Sequence, residues 1–174
     1  MILSDIDIEQ QLNEQRIGIE PYTIARLNPN SYNLTLAPRL LMYTAPILDS
    51  RTANPTVEIS IPDSGMVLEP GRLYLGSTNE TTNTPYHVPL VEGRSSLGRL
   101  GLFVHVSAGF GDVGFNGRWT LELAALHPIK IYPGMEICQI YFNEVRTHPR
   151  QEYKGKYQHA VEAVASKLYE DFRE

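Results

Sequence analysis

Turn formers punctuate this chain too regularly for long helices. Its 12 prolines and 13 glycines are spread through 174 residues rather than gathered in one segment. Between them lie short apolar or alternating runs: SYNLTL (31–36), TVEISI (56–61), GRLYLGS (71–77), LGLFVHV (100–106) and MEICQIYF (135–142). Many short strands between such turns predict a mainly β fold, a sandwich or barrel. In SYNLTL, Tyr32, Leu34 and Leu36 alternate with Asn33 and Thr35, which predicts one buried and one solvated face. SAGFGDVGFNG (107–117) reads as a Gly-rich hairpin loop, and IKIYPGMEICQIYF as two strands around a Pro-Gly turn. Only the ends look helical. Ser4 is placed to cap a helix over the first residues, with Asp7 closing a capping box and Gly18 ending it. Near the C-terminus, Val161, Val164, Ala165 and Leu168 recur at helical spacing. With 42% apolar residues and no internal repeat or linker, residues 1–174 are expected to form one domain.

Charge and cysteine content narrow the function. A net charge of -5 argues against a long nucleic-acid duplex as partner but leaves room for a small anion held by a few local cations. The one cysteine, Cys138, sits in an apolar run, where a buried small side chain is the expected role rather than a nucleophile. A lone cysteine excludes a disulfide within the chain and fits a reducing compartment, so a cytoplasmic location is expected. No run is long and apolar enough to span a membrane, and none is expected to bind one. The five histidines are not closely paired, which speaks against a zinc site, and His105 reads as a core histidine. Zinc-dependent base deamination needs a His/Cys/Cys set with Pro-Cys-x-x-Cys, which this sequence lacks.

Two stretches carry chemistry. In GRSSLGR (93–99), Arg94 and Arg99 flank Ser95 and Ser96, while Gly93 and Gly98 let a ligand approach the backbone. If residues 95–99 form one helical turn, Ser95 and Arg99 share a face and free N–H groups at its start favour a phosphate. A capped turn with solvated arginines fits the same residues. In WTLELAA (119–125), strand alternation turns Trp119, Leu121 and Leu123 one way and Thr120, Glu122 and Ala124 the other. Glu122 must then face solvent, a partner or a pocket, and in a pocket it can shuttle protons. Asp112 lies in a loop able to reach a ligand, although lone loop aspartates are mostly turn formers.

Together GRSSLGRLGL, SAGFGDVGFNG and WTLEL resemble the dCTP deaminases of the trimeric dUTPase-like superfamily. The likeness extends to MILSD, NPNSYNLTL, PGMEICQIYF and the tail GKYQ. It implies a distorted β-barrel with short terminal helices, assembled as a homotrimer with nucleotide sites between subunits. It implies hydrolysis of dCTP to dUTP and ammonia, continued in some members to dUMP and diphosphate. SAGFGD and Gln139 resemble the two-step members. One-step deamination, dUTP hydrolysis alone, and nucleotide binding without turnover are the other readings. By the same likeness Glu122 is the catalytic carboxylate, and Ser95, Arg99 and the Ala108 carbonyl position the attacking water. Arg94, Ser95, Ser96 and Arg99 belong to the phosphate loop, with Leu97 and Gly98 inside it. Asp112 lies by the sugar, Thr120 and Leu121 by the base, and Tyr153 and Lys156 in a tail (151–174) that closes over the triphosphate. Mg²⁺ is implied on the phosphates, with no zinc, and dTTP is the inhibitor to test. Several positions depart from the family, among them Val113 where Pro is usual and Glu162 where a small or polar residue is common. Gly111 replaces the usual Ile, suggesting a more flexible loop, and Ala160 replaces a phosphate-binding Gln, with Gln158 the substitute from another register.

Overall fold

The computed structural model describes residues 1–105 and 107–172. Val106, the last residue of the expected strand LGLFVHV, lies outside the described residues. Helix α1 (Asp5–Asn13) carries the expected capping box: Ser4 Oγ accepts the Asp7 N–H at 3.2 Å and Asp7 Oδ2 accepts the Ser4 N–H at 3.0 Å. It ends earlier than expected. Glu14 is its C-cap, Gln15 takes the left-handed turn (φ 57°), and Gly18 instead opens the first strand.

The strands run β1 (Gly18–Glu20), β2 (Leu27–Asn28), β3 (Ser31–Thr35), β4 (Arg39–Tyr43) and β5 (Thr56–Ser60). Then come β6 (Met66–Leu68), β7 (Leu73–Ser77), β8 (Thr81–Asn83) and β9 (His87–Gly93). After the single turn of α2 (Ser95–Arg99) follow β10 (Leu102–Val104), β11 (Asn116–Gly117), β12 (Thr120–Ala125), β13 (Ile129–Ile131) and β14 (Glu136–Glu144). They pair as β10-β12-β7-β4-β5, β2-β3-β14-β9, β1-β8-β11 and β13-β6, small sheets that wrap one apolar core as a distorted barrel. The Pro133-Gly134 turn makes no hairpin: β13 pairs with β6, and β14 lies between β3 and β9.

Alternation sets the core. Leu34, Leu121, Leu123, Ile137, Ile140 and Phe142 are fully buried from three strands of the two larger sheets. The polar face of β3 departs from expectation, because Asn33 and Thr35 are buried too. Each has a polar partner: Asn33 Nδ2 donates to Glu136 Oε2 at 3.1 Å, and Thr35 Oγ1 donates to Glu80 Oε1 at 2.8 Å. On β12 the predicted alternation holds, with Leu121 and Leu123 inward and Glu122 outward, opposite Leu75 of β7.

The tail is not the helix its periodicity predicts. Residues 158–166 run irregularly, and a short 3-10 helix forms only at Leu168–Phe172. The cause lies in the hydrogen bonds. The N–H groups of His159, Val164 and Ser166 donate to Asn116 O, Thr120 Oγ1 and Tyr43 Oη at 2.7, 3.0 and 2.8 Å, so they are spent on the barrel rather than on the preceding turn. Gly117 permits the approach: a β-carbon there would stand 2.9 Å from the Ala160 nitrogen.

Candidate active site

Strand β12 carries Glu122 to the wall of a cavity of about 460 Å³, which the tail roofs with Tyr157, Ala160, Val164 and Ser166. That volume suits a nucleoside-sized guest. Its walls gather Ala108, Asp112, Thr120, Glu122 and Tyr153 from separate parts of the sequence, together with Phe110, Phe115 and Trp119. The Phe115 and Trp119 rings pack at 4.6 Å between centroids, and the indole N–H donates to Thr82 Oγ1 at 2.9 Å, which fixes that aromatic wall. An open groove of about 570 Å³ adjoins it and shares Asp112 and Tyr153.

Glu122 is neither a solvated surface carboxylate nor a buried one. Its side chain is 36% exposed, and its Oε2 meets His105 Nδ1 at 2.5 Å. Its other oxygen, Oε1, has no partner among the described residues. His105 differs from the core histidine expected. Its side chain is buried, but one nitrogen is committed to the candidate catalytic carboxylate. No spacing rule reveals that pairing, because it rests on the register that places β10 beside β12.

The other predicted residues lie elsewhere on the chain. Residues 95–99 do form one helical turn, α2, with Ser95, Ser96 and Arg99 exposed, and none of them lines the cavity. Arg94 is its N-cap and pairs with Glu136 at 2.7 Å. Leu97 is buried beneath the turn, and Gly98 has open space around it. Gln139 sits on β14 opposite Glu92, two residues from Arg94, and its Oε1 accepts from Ser31 at 3.2 Å. The expected site residues therefore form two clusters on one chain. Leu121 points into the core, so any contact to a base from that position comes through its main chain.

In the tail, Lys156 is tied to Asp171 at 2.5 Å and donates to the Lys167 carbonyl at 3.2 Å. The Asp171 bond holds its pKa above the usual lysine value. Gln158 is not a free substitute for a phosphate ligand. Its amide accepts the Asn116 N–H at 2.9 Å and donates to the carbonyls of Gly114 and Tyr153 at 2.7 and 3.2 Å. Cys138 is fully buried and burial pushes its thiol far up, consistent with a packing role. Among the described residues no group of three or more His, Cys, Asp or Glu is arranged to hold a metal ion.

Residues 2–145 match the family model described as dCTP deaminase-like. The chain belongs to that family. The Clostridium beijerinckii protein named "dCTP deaminase, dUMP-forming" is 52% identical over 172 residues, spanning 99% of each chain. The Cytophaga hutchinsonii protein of the same name is also 52% identical over 172 residues, with 99% of each chain covered. Among solved structures, 2'-deoxycytidine 5'-triphosphate deaminase from Agrobacterium tumefaciens shares the fold, with a TM-score of 0.65 at 22% identity. That match covers 83% of this chain and 48% of the other, so this chain spans about half that protein's length.

Proposed function

We propose that this chain hydrolyses dCTP to dUTP and ammonia and carries the product on to dUMP and diphosphate. The observation that carries the reading is Glu122, with one oxygen free, in the wall of a nucleoside-sized cavity. Full-length similarity to relatives named as dUMP-forming supports the second step. A water attacks C4 of cytosine while Glu122 takes its proton. Glu122 hands that proton to ring N3, then takes the second proton from the C4 hydroxyl and gives it to the departing amine, so the C–N bond breaks, C4=O forms and ammonia leaves. Asp112 would face the sugar, with Thr120 and the Leu121 main chain at the base. Water exclusion beneath the roofing tail strengthens each of these polar contacts.

The two clusters support a shared site. We propose a homotrimer in which α2 of a neighbouring copy presents Arg94, Ser95, Ser96 and Arg99 to the cavity, with Gln139 beside them. Ser95, Arg99 and the Ala108 carbonyl would then hold the water, and Arg94 and Ser96 the phosphates. Tyr153 and Lys156 would close residues 151–174 as a lid over them. By the family likeness, Mg²⁺ would come in on the nucleotide's phosphate oxygens. Acting on dCTP and dUTP, the chain would work in the cytoplasm. dTTP, the product of further steps from dUMP, is the inhibitor to assay.

The test incubates the protein with dCTP and Mg²⁺ and follows ammonia and diphosphate. Both products are expected from wild type, and ammonia release is expected to vanish in Glu122→Gln with nucleotide binding kept. Ammonia alone would leave a one-step deaminase, and diphosphate from dUTP alone a dUTP hydrolase. Neither product, with binding retained, would make the chain a nucleotide sensor.

A further inference from the structure

Three features of His105 go together. Its Nδ1 meets Glu122 Oε2 at 2.5 Å while its side chain is 3% exposed. Its second nitrogen, Nε2, is buried with no hydrogen-bond partner among the described residues. Its backbone stands in the left-handed region, φ 51°, where residues with a β-carbon are uncommon. An orphaned buried nitrogen and a left-handed backbone both cost stability, and a leucine within a regular strand would avoid both. Such costs persist where the surroundings hold a residue for one particular contact. Here that contact is to Glu122.

The hydrogen bond has a direction. A carboxylate only accepts, so Nδ1 carries the hydrogen and donates it to Oε2. A second hydrogen on Nε2 would be a buried donor without an acceptor, which is rarer in folded proteins than a bare buried acceptor. Nδ1 is thus the ring nitrogen that holds Glu122.

We propose that His105 is the positioning residue for Glu122. Its Nδ1–H pins Oε2, so Oε1 alone faces the cavity and relays the proton. The inference rests on the deaminase reading of the site. A freely turning carboxylate would present either oxygen in many orientations, whereas deamination asks one oxygen to take two protons in turn, one for the ring and one for the amine. Fixing the carboxylate lowers the cost of aligning it at each step.

The experiment compares His105→Asn with His105→Gly, both residues that accept a left-handed backbone. Only Asn keeps a donor, Nδ2–H, at the topological place of Nδ1. Steady-state ammonia release from dCTP is measured for both, beside Glu122→Gln. His105→Gly is expected to lower kcat about 10- to 100-fold with KM nearly unchanged, as loss of a supporting hydrogen bond does elsewhere. His105→Asn is expected to recover most of that loss. Wild-type kcat in His105→Gly with Glu122→Gln inactive would overturn the positioning role and leave the deaminase reading standing. An active Glu122→Gln would sink the deaminase reading itself. Equal losses in the Asn and Gly variants would overturn pinning through Nδ1–H. A measurement on wild type keeps the idea testable should the variants misfold: ¹⁵N shifts of the imidazole are expected to show a protonated Nδ1 and a bare Nε2, and the reverse tautomer would overturn the proposal.

Discussion

Gly111 and Trp119 share one space. A β-carbon on Gly111 would overlap the Trp119 ring and stand 2.8 Å from Pro89 Cγ. Glycine at 111 is therefore explained by close packing against an aromatic wall of the cavity, not by a need for a looser loop. The Gly111 N–H, which donates to the Pro89 carbonyl at 2.9 Å, holds the same segment down. Gly111→Ala is expected to destabilise the fold by about 1–3 kcal/mol through overpacking. For a chain of this size that lowers Tm by roughly 2 to 10 °C. Adding Trp119→Val should give a double variant more stable than the sum of the two single losses, since each change relieves the other. A thermal-melt double-mutant cycle with no coupling would show that the two residues do not compete for this space.

What the sequence makes legible follows from period and local chemistry. Strand alternation places Leu121 and Leu123 inside and Glu122 outside, and the Ser4–Asp7 box starts α1, because both patterns are written within a few residues. The tail escapes that logic. Its apolar spacing fits a helix, but backbone bonds to Asn116, Thr120 and Tyr43 win, and those partners lie more than forty residues away in the chain. His105 escapes for the same reason, since its role depends on the β10-β12 register. The separation of α2 from Glu122 is equally hidden. Only the family likeness points to it, by implying nucleotide sites between subunits.

The buried ring of His87 gives stability a pH dependence. Desolvation holds its pKa below the ordinary 6.5, outweighing the bond to the Arg16 backbone that pulls the other way. Below about pH 6.5 the unfolded chain binds a proton that the native state resists, so stability falls as pH drops toward the lowered native value. One such proton contributes a slope of at most about 1.4 kcal/mol per pH unit. Urea unfolding of wild type and His87→Gln at a series of pH values from neutral to mildly acid should show a shallower acid decline in the variant. Parallel curves would mean that His87 is not the group responsible.

Asp171 occupies Lys156, the tail lysine proposed to meet the phosphates. The two meet at 2.5 Å, and the Lys167 ammonium in turn donates to the Lys156 carbonyl at 2.8 Å, which ties the last turn to the start of the tail. If Lys156 contacts the nucleotide, Asp171 competes with it. Asp171→Asn is then expected to lower KM for dCTP about two- to fivefold, the scale of an exposed ion pair, with kcat unchanged. The gain should shrink as salt is raised. Lys156→Met should raise KM in either background, and an unchanged KM in Asp171→Asn would show that the pair does not guard the site.

Glu80 is the carboxylate on which the β3 end of the barrel depends. It is fully buried, and each oxygen is used: Oε1 accepts from Arg26 Nη1 at 2.7 Å and Thr35 Oγ1 at 2.8 Å, and Oε2 accepts the Thr35 N–H at 2.8 Å. Removing it leaves a buried main-chain donor and a partly buried guanidinium without their acceptor. Glu80→Ala is expected to cost about 3–5 kcal/mol, the range for breaking a buried ion pair from one side. That corresponds to a fall in Tm of about 10 °C. Thr35→Val removes one hydroxyl while the main-chain bond and Arg26 remain, so its loss should be nearer 1–2 kcal/mol. Denaturant titrations of the two variants test the order. A Thr35→Val loss as large as that of Glu80→Ala would mean that packing at position 35, rather than the carboxylate, holds this end of the barrel.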